Sequence, residues 1–382
     1  MNGRTQPETE MEEMHKKELC CIFNYAPLYR TSIYSLIDSE YDAMFFFGDE
    51  PVEGRGSSGI AQMDRSIFRR TPGRIVNRVL FGRIPWRSGM LSLPFRFRTF
   101  LVSGDFNWAY FPFLALCRIL GRKVYAWGHG FKELKRYACL KHLYLKWLDG
   151  YFVYGSRTAR RMEELGFDGT KLHVIYNSLG TGTDPESNRL LGGEIYHSRF
   201  GNRLPVIIFA GRLTAAKRLD MLVDAYIEHS IEGLRYNLVI VGDGPEMGML
   251  RRKVENAPFA SGVWLYGECY DEKRLSVLLY NATLCVSPGN VGLTAVHAMS
   301  YGTPVVSHND FMTQMPEYET VVEGRTGLLY RAGDYADLKR AIRQWLTSGR
   351  SREEIRMDCY REIDARWNSL YQLDVLKSVI SR

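Results

Sequence analysis

The chain has 382 residues, 45% hydrophobic and 24% charged, which suits two domains with buried cores and excludes wholesale disorder. A formal charge of +7 favours anionic partners without choosing among nucleotides, membrane surfaces and nucleic acid. The seven scattered cysteines show no C-x-x-C pair and no zinc spacing, so they read as reduced, mostly buried thiols in a cytosolic setting.

Residues 1–18 read as a polar tail carrying five glutamates, unlike a signal peptide. No later apolar run approaches the ~20 residues needed to span a bilayer. The first predicted strand is 19–25 (LCCIFNY). Ser32 is placed to cap a helix from Ile33, and 41–47 (YDAMFFF) is a second buried strand. Strand, helix and strand at this spacing begin a parallel sheet.

Nine arginines follow, at 65, 69, 70, 74, 78, 83, 87, 96 and 98, with no carboxylate between Arg65 and Gly104. Ile67, Phe68, Val76, Val79, Phe81 and Trp86 are interleaved with them. The pattern fits an interfacial helix on an anionic membrane; a solvated basic face of a soluble domain is the plainer alternative.

Strands at 100–102, 123–127, 151–154 and 172–176 alternate with helices over 108–120 and 156–166. Gly128-His129-Gly130 follows the 123–127 strand, where an α/β sheet presents functional groups; a structural role for this loop histidine is equally open. Residues 180–204, rich in Gly, Ser, Thr and Asn, read as a linker between an N-terminal domain at 19–179 and a C-terminal domain at 205–350. Helices are expected over 351–382, crossing back to the first domain.

The strand at 206–210 (VIIFA) leads into Gly211-Arg212-Leu213-Thr214-Ala215-Ala216-Lys217. Two fixed cations beside a helix start would ease departure of a diphosphate; two solvated loop charges is the alternative. The turn Gly242-Asp243-Gly244-Pro245, after a strand at 237–241, lacks the spacing and the acidic residue of a dinucleotide fingerprint, so NAD is weakly supported. A strand at 263–266 and a helix over 271–280 bring the chain to 287–310, SPGNVGLTAVHAMSYGTPVVSHND. Strand remnant, Gly-bearing loop, helix and strand make a compact βαβ unit here. Gly289 and Gly292 would let the backbone approach a phosphate, with N–H groups around Leu293 and Thr294 left to donate. An ordinary βα turn without a ligand is the other reading of the stretch alone.

This stretch resembles the donor-sugar motif of retaining GT-B glycosyltransferases of the large family 4 group (glycosyl transferases group 1), roughly E-G-F-G-L-x-x-x-E-A-M-x-x-G-x-P-V-V. Gly292, Leu293, Ala298, Met299, Gly302, Pro304, Val305 and Val306 fall on it in register. Gly289 and His297 stand where its two glutamates belong. The segment from Gly211 through Lys217 to Leu219 is similar to the family's diphosphate-binding segment, and 316–319 and 324–329 to its later turn and strand.

The resemblance implies an α/β chain with two Rossmann-like domains facing a cleft. It would move a sugar from a nucleotide-sugar donor to an acceptor hydroxyl with retention. Catalytic roles would fall to His129, Arg212 and Lys217. Donor binding would fall to Gly211, Gly289, Asn290, Val291, Gly292, Leu293, Thr294 and His297. In the family the first glutamate lies beside the donor sugar and the second binds the nucleotide ribose, so donor identity does not carry over. His297 can offer one hydrogen bond there, or it is a satisfied core histidine. No D-x-D pair is present, so neither a metal nor a cofactor is expected, the nucleotide-sugar being substrate. The acceptor would be a glycan or lipid-linked sugar in surface polysaccharide synthesis, met at the cytoplasmic face of an anionic membrane. Three competitors remain: an inactive relative serving as scaffold or partner subunit, an epimerase, whose carboxylates are not found, and a nucleic-acid binder, which lacks a reading motif.

Overall fold

The computed structural model describes residues 17–48, 62–80, 84–134, 138–180 and 192–380. The chain divides into two compact units. One takes in the described residues up to Val153, Ala159–Val174 and the chain from Leu373; the other is Tyr154–Thr158 and Ile175–Gln372.

The first unit carries β1 (Glu18–Phe23), α1 (Thr31–Glu40), β2 (Asp42–Gly48), β3 (Gly73–Leu80), β4 (Ile84–Ser88), β5 (Thr99–Ser103), α2 (Tyr110–Ile119), β6 (Lys123–Gly128), α3 (Ala138–Trp147), β7 (Gly150–Val153), most of α4 (Ser156–Glu164) and β8 (Leu172–Val174). Its sheet runs β4-β3-β2-β1-β5-β6-β7-β8 and is parallel except where β4 meets β3. Helices cover both faces, so the central strands read as unbroken hydrophobic runs without alternation. Ile22, Phe100, Val102, Val124 and Val153 pack against Phe113 and Leu114 of α2 in one core.

The helix expected within the arginine-rich segment does not form. β3 and β4 pair antiparallel from Val76↔Ser88 to Leu80↔Ile84, because Ile75, Val76, Val79 and Ile84 are β-branched and suit a pleated edge. A basic outer pair of strands also discourages edge-to-edge association. Phe68 is buried against Phe45 and Phe47, so it has no side chain to insert in a bilayer. Phe81 and Arg83 lie outside the described residues. Arg69 and Arg70 pair with Asp38 and Asp42, and buried Arg87 donates to the Tyr110 hydroxyl. Arg74, Arg78, Arg96 and Arg98 are exposed.

The second unit runs on from Ile175 and so takes in the whole stretch expected as linker, of which 181–191 lies outside the described residues. Helix α5 (Ile195–Phe200) occupies part of the rest; the Tyr196 hydroxyl donates to Leu278 O at 2.7 Å. Then follow β9 (Val206–Ala210), α6 (Leu219–Ile231), β10 (Asn237–Val241), α7 (Met247–Glu255), β11 (Val263–Gly267), α8 (Glu272–Asn281), β12 (Leu284–Ser287), α9 (Leu293–Ser300), β13 (Val305–His308), β14 (Gly327–Tyr330), α10 (Tyr335–Leu346), α11 (Arg352–Arg366) and α12 (Ser369–Ile380), whose end from Leu373 groups with the first unit. The six parallel strands are ordered β11-β10-β9-β12-β13-β14. From β9 the chain winds one way, and from β12 the other. The loops leaving these two neighbours therefore lie at the switch point of the sheet on its carboxyl edge, where open α/β sheets bind ligands.

Candidate functional site

The loops after β9 and β12 are joined backbone to backbone. The Gly289 N–H donates to Lys217 O at 2.9 Å and the Asn290 N–H to Ala216 O at 3.2 Å. A Cβ at Gly289 would overlap the Ala216 carbonyl oxygen, so no larger residue fits where the resembled motif carries its first glutamate. The Val291 N–H donates to Gln314 Oε1 at 2.7 Å. Gln314 is almost fully buried; its Nε2 donates to Ser307 Oγ and His308 O, each at 3.0 Å, and its Oε1 also takes the Met315 N–H. The amides of Gly289, Asn290 and Val291 are thus committed inside the protein. They brace the loop, and the expected approach of Gly289 to a phosphate gives way to that bracing role.

Donors open to a ligand begin after them. Gly292 turns the chain at φ 54°, a left-handed value that favours glycine, and α9 starts at Leu293. The first amides of a helix have no intrahelical acceptor and carry its positive dipole end. The Thr294 hydroxyl donates to Ala210 O at 3.0 Å, which ties the start of α9 to the end of β9 beside Gly211.

Lys217 completes this group. Its Nζ donates to Asn290 O at 2.6 Å and reaches Val291 O at 3.4 Å, directly behind the start of α9. Burial pushes its pKa down to about 8, against an opposing pull from Glu317. Glu317 is itself 1% exposed; its Oε1 accepts from Asn177 Nδ2 at 2.6 Å, and its buried Oε2 has no hydrogen-bond partner among the described residues. A desolvated ammonium next to unbonded helix amides is a site that an added anion would relieve. Arg212 stands exposed on the same loop.

His297 lies farther along α9, four residues after Leu293 and 14% exposed. Its Nε2 is 2.8 Å from Glu272 Oε1 on α8, and the Tyr301 hydroxyl donates to the same oxygen at 2.5 Å. Burial raises the Glu272 pKa, but the His297 hydrogen bond and charge, with Tyr301, outweigh it and hold the carboxyl below its usual range. Sequence reasoning missed Glu272, because an acidic residue at a helix start reads as capping, and it missed Gln314 altogether.

His129 belongs to the first unit. It is exposed just beyond β6. The same carboxyl edge holds Asp105 beyond β5 and Asn24 beyond β1, neither expected from sequence. The Asp105 carboxylate accepts from Asn24 Nδ2 and from Ser103 Oγ, and the Tyr151 hydroxyl donates to Gly104 O at 2.9 Å.

A second helix start is closed from within. The Glu319 carboxylate accepts the Ser156 N–H at 2.9 Å, the Ser156 hydroxyl at 2.7 Å and the Arg157 N–H at 2.9 Å, all at the first turn of α4.

Residues 197–361 match the family model of glycosyl transferases group 1. A GDP-mannose-dependent alpha-(1-6)-phosphatidylinositol dimannoside mannosyltransferase of Mycobacterium tuberculosis is 31% identical over 114 residues, 29% of each chain. A glycogen synthase of Thermus caldophilus is 30% identical over 190 residues, 44% of this chain and 42% of that one. The matched stretches therefore span less than half the length of these curated relatives. Among solved structures, a lipopolysaccharide outer core galactosyltransferase in its apo form superposes with TM-score 0.68 at 15% identity, covering 95% of this chain and 99% of that one. Anabaena HepE in complex with UDP gives 0.67 at 14% identity, covering 96% and 100%. The chain has the GT-B fold, and its residues 197–361 match the glycosyl transferases group 1 model.

Proposed function

We propose that the protein transfers a sugar from a nucleotide-sugar donor to an acceptor hydroxyl, with retention at the anomeric carbon. The observation that carries this reading is the placement of the Lys217 ammonium behind the open amides of α9, at the switch point of the six-stranded sheet. When the bond from the anomeric carbon to the diphosphate breaks, negative charge develops on the leaving oxygen. A fixed cation and helix amides aimed there lower that barrier without reorganising. Arg212 adds a fork-shaped donor on the same loop, so charge neutralisation falls to these two side chains. The names of the relatives support a nucleoside diphosphate as the shared element: one depends on GDP-mannose, and one structure holds UDP.

The acceptor reading is a lipid-linked sugar met at an anionic membrane surface in polysaccharide synthesis, at the cytoplasmic face. It is supported by exposed Arg74, Arg78, Arg96 and Arg98. Each contributes about 1 kcal/mol or less near such a surface, enough together for reversible docking. Failure of the protein to sediment with anionic liposomes at low salt would remove this part.

The central test incubates the protein with UDP-, GDP-, ADP- and CMP-sugars and measures thermal shift and release of the free nucleotide. A specific donor raises stability by mass action and releases its nucleotide more slowly without an acceptor than with one. If no donor shifts the melt and no nucleotide is released, the glycosyl-transfer reading is wrong.

A further inference from the structure

We propose that Glu272, on α8, is the carboxylate that receives the ribose hydroxyls of the bound nucleoside diphosphate, with His297 and Tyr301 as its positioning residues. The inference rests on the glycosyl-transfer reading and goes beyond it by naming a nucleoside-recognition residue on a different helix from the one where the donor motif carries its second glutamate.

The geometry is specific. His297 Nε2 and the Tyr301 hydroxyl both converge on Oε1, while Oε2 makes no bond to the described residues and the side chain is 45% exposed. A carboxylate held through one oxygen has its rotamers fixed while the other oxygen keeps its acceptor capacity. A pair of neighbouring hydroxyls matches that acceptor, since each donates one hydrogen bond to one carboxylate. The adjacent Asp271 is not an equivalent candidate. Its Oδ1 caps α8 by accepting the Lys273 N–H at 3.0 Å, and its Oδ2 lies 3.5 Å from Arg274.

Position agrees with chemistry. His297 is four residues beyond Leu293, so Glu272 meets α9 about 6 Å along the helix from the amides set for the diphosphate. One pentose ring separates the phosphate of a nucleotide from its hydroxyl edge and spans a gap of this order. The loop from β11 delivers Glu272 to the carboxyl edge of the sheet. His297 therefore makes sense where the resembled motif has glutamate: the anion has moved to the neighbouring helix, and the residue left behind orients it.

The experiment titrates UDP, GDP and ADP, with their 2′-deoxy and 3′-deoxy counterparts, into wild type, Glu272→Ala and Glu272→Gln by calorimetry. Glu272→Gln keeps the shape and an oxygen for Tyr301, so it serves if the alanine variant does not fold; melting curves decide that. Wild type is expected to prefer the ribonucleotide over its deoxy forms by about tenfold or more, the worth of one charge-assisted hydrogen bond. Both variants should lose that preference while binding the deoxy forms as wild type does. An unchanged ribo-to-deoxy ratio in folded variants overturns the role of Glu272 and leaves the glycosyl-transfer reading intact. Absence of any nucleotide binding by wild type overturns both.

Discussion

The carboxyl edges of the two sheets are built differently. In the second unit, main chain holds main chain: Gly289 and Asn290 lie on Ala216 and Lys217, and one buried amide, Gln314, receives the next N–H. In the first unit, side chains hold the edge, with Asn24, Ser103 and Asp105 linked to one another and Tyr151 reaching Gly104. A backbone brace fixes atoms whose chemistry no substitution alters, which suits a ligand part that does not vary, such as a diphosphate. An edge made of side chains can be re-specified one residue at a time, which suits a variable acceptor.

The largest blow to the braced edge is Lys217→Ala. Turnover should fall by about 10²-fold or more if the ammonium stabilises the departing diphosphate; near-normal turnover in a folded variant would contradict the role. On the other edge, His129→Ala should lower turnover by roughly tenfold or more while leaving free nucleoside diphosphate affinity untouched. Equal losses in both would show that the contrast between the edges is false. Gly289→Ala probes the brace itself: the overlap with Ala216 should cost about 1–3 kcal/mol of stability, read as a lower Tm. An unchanged melt would mean that the two loops are not pressed together in solution.

The smallest effect is that of pH. Lys217 is protonated below about 8, and its charged form is the one that attracts an anion. Nucleoside diphosphate affinity should therefore weaken by about tenfold from roughly pH 7 to roughly pH 9, if only the protonated form binds. Lys217→Arg should flatten this dependence, because arginine stays charged throughout.

Much of the architecture was legible because buried parallel strands are unbroken apolar runs. Those expected at 206–210 and 237–241 are β9 and β10, and the helix expected over 271–280 is α8. The β3–β4 pair was misread because arginines alternating with aliphatic residues satisfy a helical and an extended pattern about equally. Helix α5 was hidden by the polar, glycine-bearing sequence around it. In the site, the Lys217 loop and the Gly292 turn announce themselves by local spacing. Gln314 and Glu272 do not, since their partners Val291 and His297 lie 23 and 25 residues away and no sequence period links them.

The self-capping of α4 bears on where charge can enter the second unit. Every exposed helix start is a potential trap for inorganic phosphate, sulfate or stray nucleotide. At Ser156 and Arg157 that vacancy is filled by a tethered anion, Glu319, whose local concentration no dissolved ion can match. The protein carries its own competitive inhibitor against the wrong berth. The start of α9 carries no such side-chain cap, so an anion that arrives from solution meets no tethered rival there.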